Sequence, residues 1–252
     1  MFVFSPLEQF QIIPLIPITL ASYDISFTNS ALIGFITIFF IFFTLNTLLK
    51  KDFSFAVIPN NWQVIFESLY KMIAQLLKDN LGEEGQKFIP FIFSLFTFIL
   101  FSNLIGLIPY SFTTTSHLCV TLALALMVFI AVNIICFNKH GLHMFSLFLP
   151  AGTNIVLAFL MIPIELISYI FKPISLAVRL FANMMAGHTL LKVIAGFTWQ
   201  LMFFTNILFA GYIFCLIILI IFFGLETAVA MIQTYVFTML SIIYIRDAIK
   251  LH

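Results

Sequence analysis

Charge is what this sequence has least of. Only 8% of its 252 residues are Asp, Glu, Lys or Arg, against 63% hydrophobic. With a mean hydropathy of +1.17, a water-soluble domain would lack the polar surface to cover itself, so the chain reads as an integral membrane protein. Eleven basic and ten acidic residues nearly cancel. They leave no basic face for nucleic acid, and no glycine loop of the Walker or dinucleotide type is present to cradle a phosphate. Any nucleotide chemistry therefore belongs to a partner. Cys119, Cys136 and Cys215 are the only cysteines and show no CxxC spacing. They read as small buried hydrophobes rather than disulfides or metal ligands. The first thirty residues contain no Lys or Arg, unlike a transit or signal peptide, which suggests synthesis beside the chain's own membrane. No internal repeat supports an inverted-repeat transporter.

What is present is apolar sequence punctuated by cations. Residues 31–49 form a clean first span that stops at Lys50, Lys51 and Asp52. Residues 61–84 carry Trp62, Ile65, Leu69, Ile73 and Leu76 at helical spacing, with Glu67, Lys71, Lys78 and Asp79 between them. That pattern predicts an amphipathic helix on the inner surface. Residues 88–138 predict a helical hairpin with an uncharged polar turn near Tyr110 to Ser116, returning to Lys139, His140 and His143. After a loop with Pro150 and Gly152, apolar sequence runs on to Tyr244 and closes with Arg246, Asp247 and Lys250. Every cationic cluster lies inside under one topology, N-terminus out and C-terminus in. His140 and His143 have H-x-x-H spacing but no third ligand nearby, and read as interfacial. Lys192 reads as snorkelling toward the outer interface.

The last hundred residues accommodate either four ordinary spans or two long tilted helices. Hydropathy does not separate the two. The second, over 154–198 and 201–246, is favoured because it puts Arg179 near mid-depth, with Pro173 as a bend. The expected fold is thus an all-α membrane protein, a single polytopic domain over 1–252.

Arg179 is the costliest residue in such a fold, because a guanidinium stays charged wherever it lies. Along an inside-to-outside penultimate helix, Glu165 precedes Arg179 by about 21 Å and His188 follows it by about 13 Å. On the last helix Glu226 lies in the outer half, and Gln233, seven residues on, shares its stripe about 10 Å away. Asn183 shares the face of Arg179, whereas His188 points about 180° from it. Burial favours the uncharged forms of carboxyl and imidazole groups alike, which raises the carboxyl pKa toward neutrality and lowers that of the imidazole. Glu226, His188 and Glu165 are therefore candidate proton carriers on two separate half-paths. Arg179 between them repels a bare proton and deprotonates any carboxyl group that passes. No such mobile carboxylate is found in this chain, so another subunit should supply it. Ser175, Ala177, Ala182, Ala186 and Gly187 keep the helix slim for a neighbour's close approach. The competing readings are a buried structural ion pair for Arg179, a satisfied core histidine for His188 and a helix-packing carboxylate for Glu226. For Asn183 and Gln233 the alternative is interhelical hydrogen bonding, and for Glu165 neutralisation by Lys172.

The segment KPISLAVRLFANMMAGHTLL resembles the signature of subunit a of F-type ATP synthases, and GLETAVAMIQTYVFTMLSIIYI is similar to that family's last helix. SPLEQF, NLIGLIPYSFTTTSH and FLPAG resemble mitochondrial versions, especially those of plants and algae. The 34 Phe beside abundant Ile fit an AT-rich organellar genome. The resemblance implies a non-catalytic, proton-conducting stator subunit without cofactor or metal, whose two long helices pack against a rotating ring of c subunits. Its setting would be the mitochondrial inner membrane, with the N-terminus toward the intermembrane space and the C-terminus toward the matrix. Its partners would be the ring carboxylates, other membrane and peripheral-stalk subunits, and lipids. Arg179 would be the essential arginine, Asn183, His188, Glu226 and Gln233 the polar channel positions, and Glu165 the acidic group of the inner half-channel. The resemblance assigns Lys172 no role.

Overall fold

The computed structural model describes residues 5, 7–20, 23–24, 26–49, 61–108, 111–141, 155–202 and 209–249. Lys50, Lys51, Asp52, Tyr110, His143, Pro150, Gly152 and Lys250 lie outside the described residues. The described helices are α1 Asn29–Leu49, α2 Asn61–Leu81, α3 Ile89–Gly106, α4 Leu118–His140, α5 Ile155–Met202 and α6 Phe209–Ile249. Among the described residues, five segments are long and apolar enough to cross a membrane: Asn29–Asn46, Asn61–Gly106, Leu118–His140, Phe159–Met202 and Gly211–Ile249. The protein is thus an all-α membrane protein in its spanning part.

The sequence patterns account for these elements. Helix α1 is apolar around its circumference and exposes Phe35, Ile38, Phe39, Phe42 and Phe43, a surface suited to lipid. Helix α2 buries Ile73, Leu77 and Leu81 on one stripe, while Glu67 accepts a hydrogen bond from Gln63 at 2.8 Å on the other side. It ends at Leu81 because Gly82, at φ 69°, takes the left-handed conformation that stops a helix. The helix expected over 61–84 is therefore shorter, and Gly82–Phe88 forms a tighter 3-10 turn into α3. Helix α5 runs 48 residues with Pro163 and Pro173 inside it, so Pro173 does not break it. At 1.5 Å per residue, 48 residues reach about 72 Å, more than twice the roughly 30 Å of hydrocarbon. An excess of that size is taken up by inclining the helix, by bending it or by extending it beyond the hydrocarbon.

One feature lay outside the sequence reading. Ahead of α1, strand β1 Pro14–Ile16 pairs antiparallel with β4 Phe27–Thr28, and β2 Thr19–Leu20 with β3 Tyr23–Asp24. Asn29 ties this segment to α1: its Oδ1 accepts from the Ser30 and Ile13 amides at 2.9 and 3.3 Å, and its Nδ2 donates to the Gln11 carbonyl at 3.0 Å.

The chain divides into two compact units. The first comprises Met1–Thr47, Thr97–His117 and Leu180–Thr234, and the second Leu48–Phe96, Leu118–Arg179 and Tyr235–His252. The first has an apolar centre of Leu107, Met184 and Ala230, with Leu104 packed against it. The second buries Ile73, Leu77, Ile92, Val128, Val132 and Ile245.

Candidate functional site

Within the first unit, α5 and α6 pack along a stripe in which Leu180 and Met184 are buried and Gly187 faces Glu226. Residues at spacings of three and four share a helix face, so 180, 184 and 187 lie within about 60° of one another. Asn183 and His188 flank that stripe on opposite sides. Both reach α6. Asn183 Nδ2 donates to Gln233 Oε1 at 2.9 Å, and His188 Nδ1 lies 3.4 Å from Glu226 Oε1. The second contact is close enough for an ion pair when the imidazole is protonated, but it has no hydrogen-bond geometry, and neither Glu226 oxygen has a hydrogen-bond partner among the described residues. As 183 meets 233 and 188 meets 226, the two helices run antiparallel here.

Glu226 and Gln233 are both buried, at 4% and 5% exposure. A carboxyl group and an amide so enclosed within an apolar helix pair need polar company, which the α5 imidazole and amide supply. The seven-residue stripe of the sequence reading is therefore an inward stripe, and four of the candidate site residues form two adjacent pairs on it.

A further polar side chain joins this group. Asn103 of α3 is fully buried, and its Nδ2 donates to Thr234 Oγ1 at 3.2 Å and to the Ala230 carbonyl at 3.3 Å. Sequence reasoning gave Asn103 no role. The available signal was an amide in a mostly apolar span that carries no charge, a placement that calls for a partner helix.

The second unit holds Glu165, Lys172 and Arg179, spaced by seven residues on α5. Arg179 is exposed and forms no ion pair or hydrogen bond among the described residues. Ser175, Ala182 and Ala186, which share its helix face by periodicity, are exposed as well. The expected slim face is thus narrower than the sequence suggested: Ala177 is fully buried and Gly187 packs on Glu226, so these two small residues serve internal packing. Glu165 is exposed and unpaired among the described residues. Lys172 does not neutralise it. The Lys172 ammonium instead sits over the rings of Tyr169 and Tyr244, 5.6 Å from each centroid. The Tyr169 hydroxyl donates to Asn133 Oδ1 of α4 at 2.6 Å. Tyr169, Lys172, Tyr244 and Asp247 line one cavity with Cys136. His140 Nε2 lies 3.1 Å from the Ile249 carbonyl oxygen at the end of α6.

Three relatives, each named ATP synthase subunit a, match nearly end to end. That of Pylaiella littoralis is 54% identical over 250 residues, covering 98% of this chain and 99% of the relative. That of Chondrus crispus is 45% identical over 248 residues, covering 98% and 97%. That of Brassica napus is 46% identical over 253 residues, again covering 98% and 97%. The sequence pattern of the ATP synthase A chain family matches residues 29–246, which takes in every candidate site residue. The chain belongs to the ATP synthase A chain family.

Proposed function

We propose that this chain is the proton-conducting stator subunit of an F-type ATP synthase in the mitochondrial inner membrane. It forms two offset aqueous half-paths, with Arg179 between them in the order of the chain. Asn183, His188, Glu226 and Gln233 line the path open to the intermembrane space, and Glu165 belongs to the path open to the matrix. The N-terminus faces the intermembrane space and the C-terminus the matrix. The chain is not itself catalytic and needs no cofactor; catalysis resides in other subunits.

The observation that carries this reading is the contrast between two kinds of polar group. In the first unit the Glu226 carboxyl group and the Gln233 amide are buried and meet the His188 imidazole and the Asn183 amide across helices. Arg179 is exposed on a helix face of small side chains, with no counter-charge among the described residues. An unpaired guanidinium facing lipid is costly, so that face suits a partner bearing the missing carboxylates, such as a ring of c subunits. A ring carboxyl group reaching Arg179 is driven to ionise and gives up its proton on one side; it is reprotonated from the other. Each proton crossing the full potential releases about 2.3 kcal/mol per 100 mV, and ring rotation is the only route that joins the two half-paths.

Arg179→Ala in the purified complex, reconstituted in proteoliposomes, should abolish proton-driven ATP synthesis while the complex still assembles. Synthesis at a near-normal rate would refute the coupling role.

A further inference from the structure

The segment ahead of α1 is apolar where chain outside a membrane would ordinarily be polar. Residues 12–18 are five aliphatic residues and two prolines, and Ile12, Ile13, Leu15, Ile16 and Ile18 are each 46–57% exposed. The exposed positions are both odd and even, and a bulge between Pro14 and Ile16 interrupts the alternation of β1. The ribbon thus lacks the usual division into one apolar face and one face turned to water. A contiguous apolar surface of this kind marks contact with something other than water.

Three observations point to lipid as its cover. The first is position. The Asn29 side chain bonds to the Ile13 amide and the Gln11 carbonyl, so the run begins beside the residue at which the chain enters its first span. Strand β1 advances about 10 Å over its three residues, and the headgroup layer beyond the hydrocarbon is about 5–8 Å deep. Ile12, Ile13 and Leu15 therefore stay at headgroup level even with the ribbon upright, and any inclination brings Ile16 and Ile18 down to it. The second is continuity. Phe27 of β4 stacks on Phe35 of α1 with ring centroids 6.0 Å apart, and Phe35 belongs to the exposed aromatic face of that helix. The ribbon's apolar surface thus joins the surface suited to lipid. The third is the edge of the strand. Pro14 and Pro17 have no amide hydrogen, which makes this stretch a poor template for a partner protein's strand and removes two donors that lipid would leave unsatisfied.

We propose that residues 12–18 insert among the headgroups and upper acyl chains of the leaflet at which α1 begins, so that the ribbon anchors that end of α1 to the bilayer surface. The attachment is apolar rather than electrostatic. The first thirty residues contain no Lys or Arg, so nothing in the segment is drawn to anionic headgroups, and zwitterionic lipid serves as well as anionic. The ribbon does not sink into the hydrocarbon. Its sheets have two strands each, and their open edges carry backbone groups that only water or headgroups can satisfy. Held by Asn29 at one end and by lipid along its length, the segment fixes the depth at which the first span starts.

The test uses the assembled complex in proteoliposomes, with Cys119, Cys136 and Cys215 replaced by Ser and a bimane fluorophore attached at Ile16→Cys, Leu15→Cys or Glu8→Cys. The same complex without an introduced cysteine supplies the background. Phospholipid bearing a nitroxide high on its acyl chain should quench the Ile16→Cys and Leu15→Cys labels at least twofold. Aqueous iodide should quench them at least threefold less than the label at Glu8, an exposed charged residue of the preceding 3-10 turn. Both results should hold in phosphatidylcholine alone and after anionic lipid is added. If Ile16→Cys does not assemble, Leu15→Cys decides alone. Equal iodide quenching at all three positions leaves the segment in water and overturns the proposal. Labels that neither quencher reaches mean that another protein covers the run, and lipid quenching that requires anionic lipid means electrostatic attachment; either result overturns it as well.

Discussion

Gly187 faces Glu226 so closely that a methyl group added to the glycine would lie 2.7 Å from Glu226 Oε1 and 3.0 Å from its Cδ. The obstacle is the end of a flexible side chain rather than backbone. Gly187→Ala should therefore leave the helices packed and push the carboxyl group away from His188. Misplacing a reacting group by about 1 Å can cost roughly a hundredfold in rate, so a shift of a few tenths of an ångström should lower ATP-driven proton pumping about tenfold. Gly196 has nothing within 4 Å of its Cβ position, and Gly196→Ala should pump normally. Normal pumping by Gly187→Ala in an intact complex would mean that the position of Glu226 does not matter.

Glu226→Gln tests the same carboxyl group by chemistry rather than position. The amide is nearly isosteric and fills the same buried space, but it carries no exchangeable acid proton. Assembly should be preserved, and proton uptake from the N-terminal side should slow by tenfold or more, in line with the roughly 10²–10⁴-fold contribution of positioned acid–base groups. Flux is read from vesicle alkalinisation under an imposed potential. An unchanged rate would return Glu226 to the role of a packing carboxylate.

The two interhelical pairs differ in what they can supply. Asn183 and Gln233 carry no charge and meet in a 2.9 Å hydrogen bond, of a kind worth on average about 0.6 kcal/mol between membrane helices, with a maximum near 1.7. A double-mutant cycle with Asn183→Leu and Gln233→Leu, scored by thermal denaturation of the detergent-solubilised complex, should give a coupling energy in that range. Zero coupling would mean that the bond is not formed in the assembled complex.

Which parts were legible in the sequence follows from what leaves a local trace. Long apolar runs bounded by cations specify spanning helices whatever their partners, and seven-residue spacing put Glu226 and Gln233 on one stripe before any neighbour was known. The same periodicity set His188 well away from Arg179. The pairing partners were not legible, because Asn183 meets Gln233, and Asn103 meets Ala230 and Thr234, across 50, 127 and 131 residues. The short N-terminal ladders were missed for a different reason. Strands of two or three residues beside Pro14 and Pro17 give no alternation to detect, and the Asn29 side chain that fastens the segment to α1 does so by bonding back to Ile13 and Gln11. Small residues near Arg179 were correctly seen as slim, but helix rotation alone decides which of them face outward, and Ala177 and Gly187 turn inward.

Lys172 is the residue whose environment departs most from its sequence context. Seven residues from both Glu165 and Arg179, it has no role in the sequence reading beyond the competing possibility that it neutralises Glu165. The structure places its ammonium between two tyrosine faces instead, at 5.6 Å from each ring centroid. A half-buried cation over aromatic rings gains about 0.5–2 kcal/mol, and an arginine can stack in the same place. Lys172→Met should thus lower the thermal stability of the complex by about 1–2 kcal/mol, with Lys172→Arg close to wild type. The loss should be shared with Tyr244→Leu, so that the double variant is less destabilised than the two single losses added. Proton flux, normalised to intact complex, should stay within a factor of two in Lys172→Met, because a cation held against two rings is a structural tie between α5 and α6 and not a proton carrier. Flux lost at unchanged stability would instead make the Lys172 charge part of the inner path, and the neutralisation of Glu165 would then have to be sought in another conformation of that side chain.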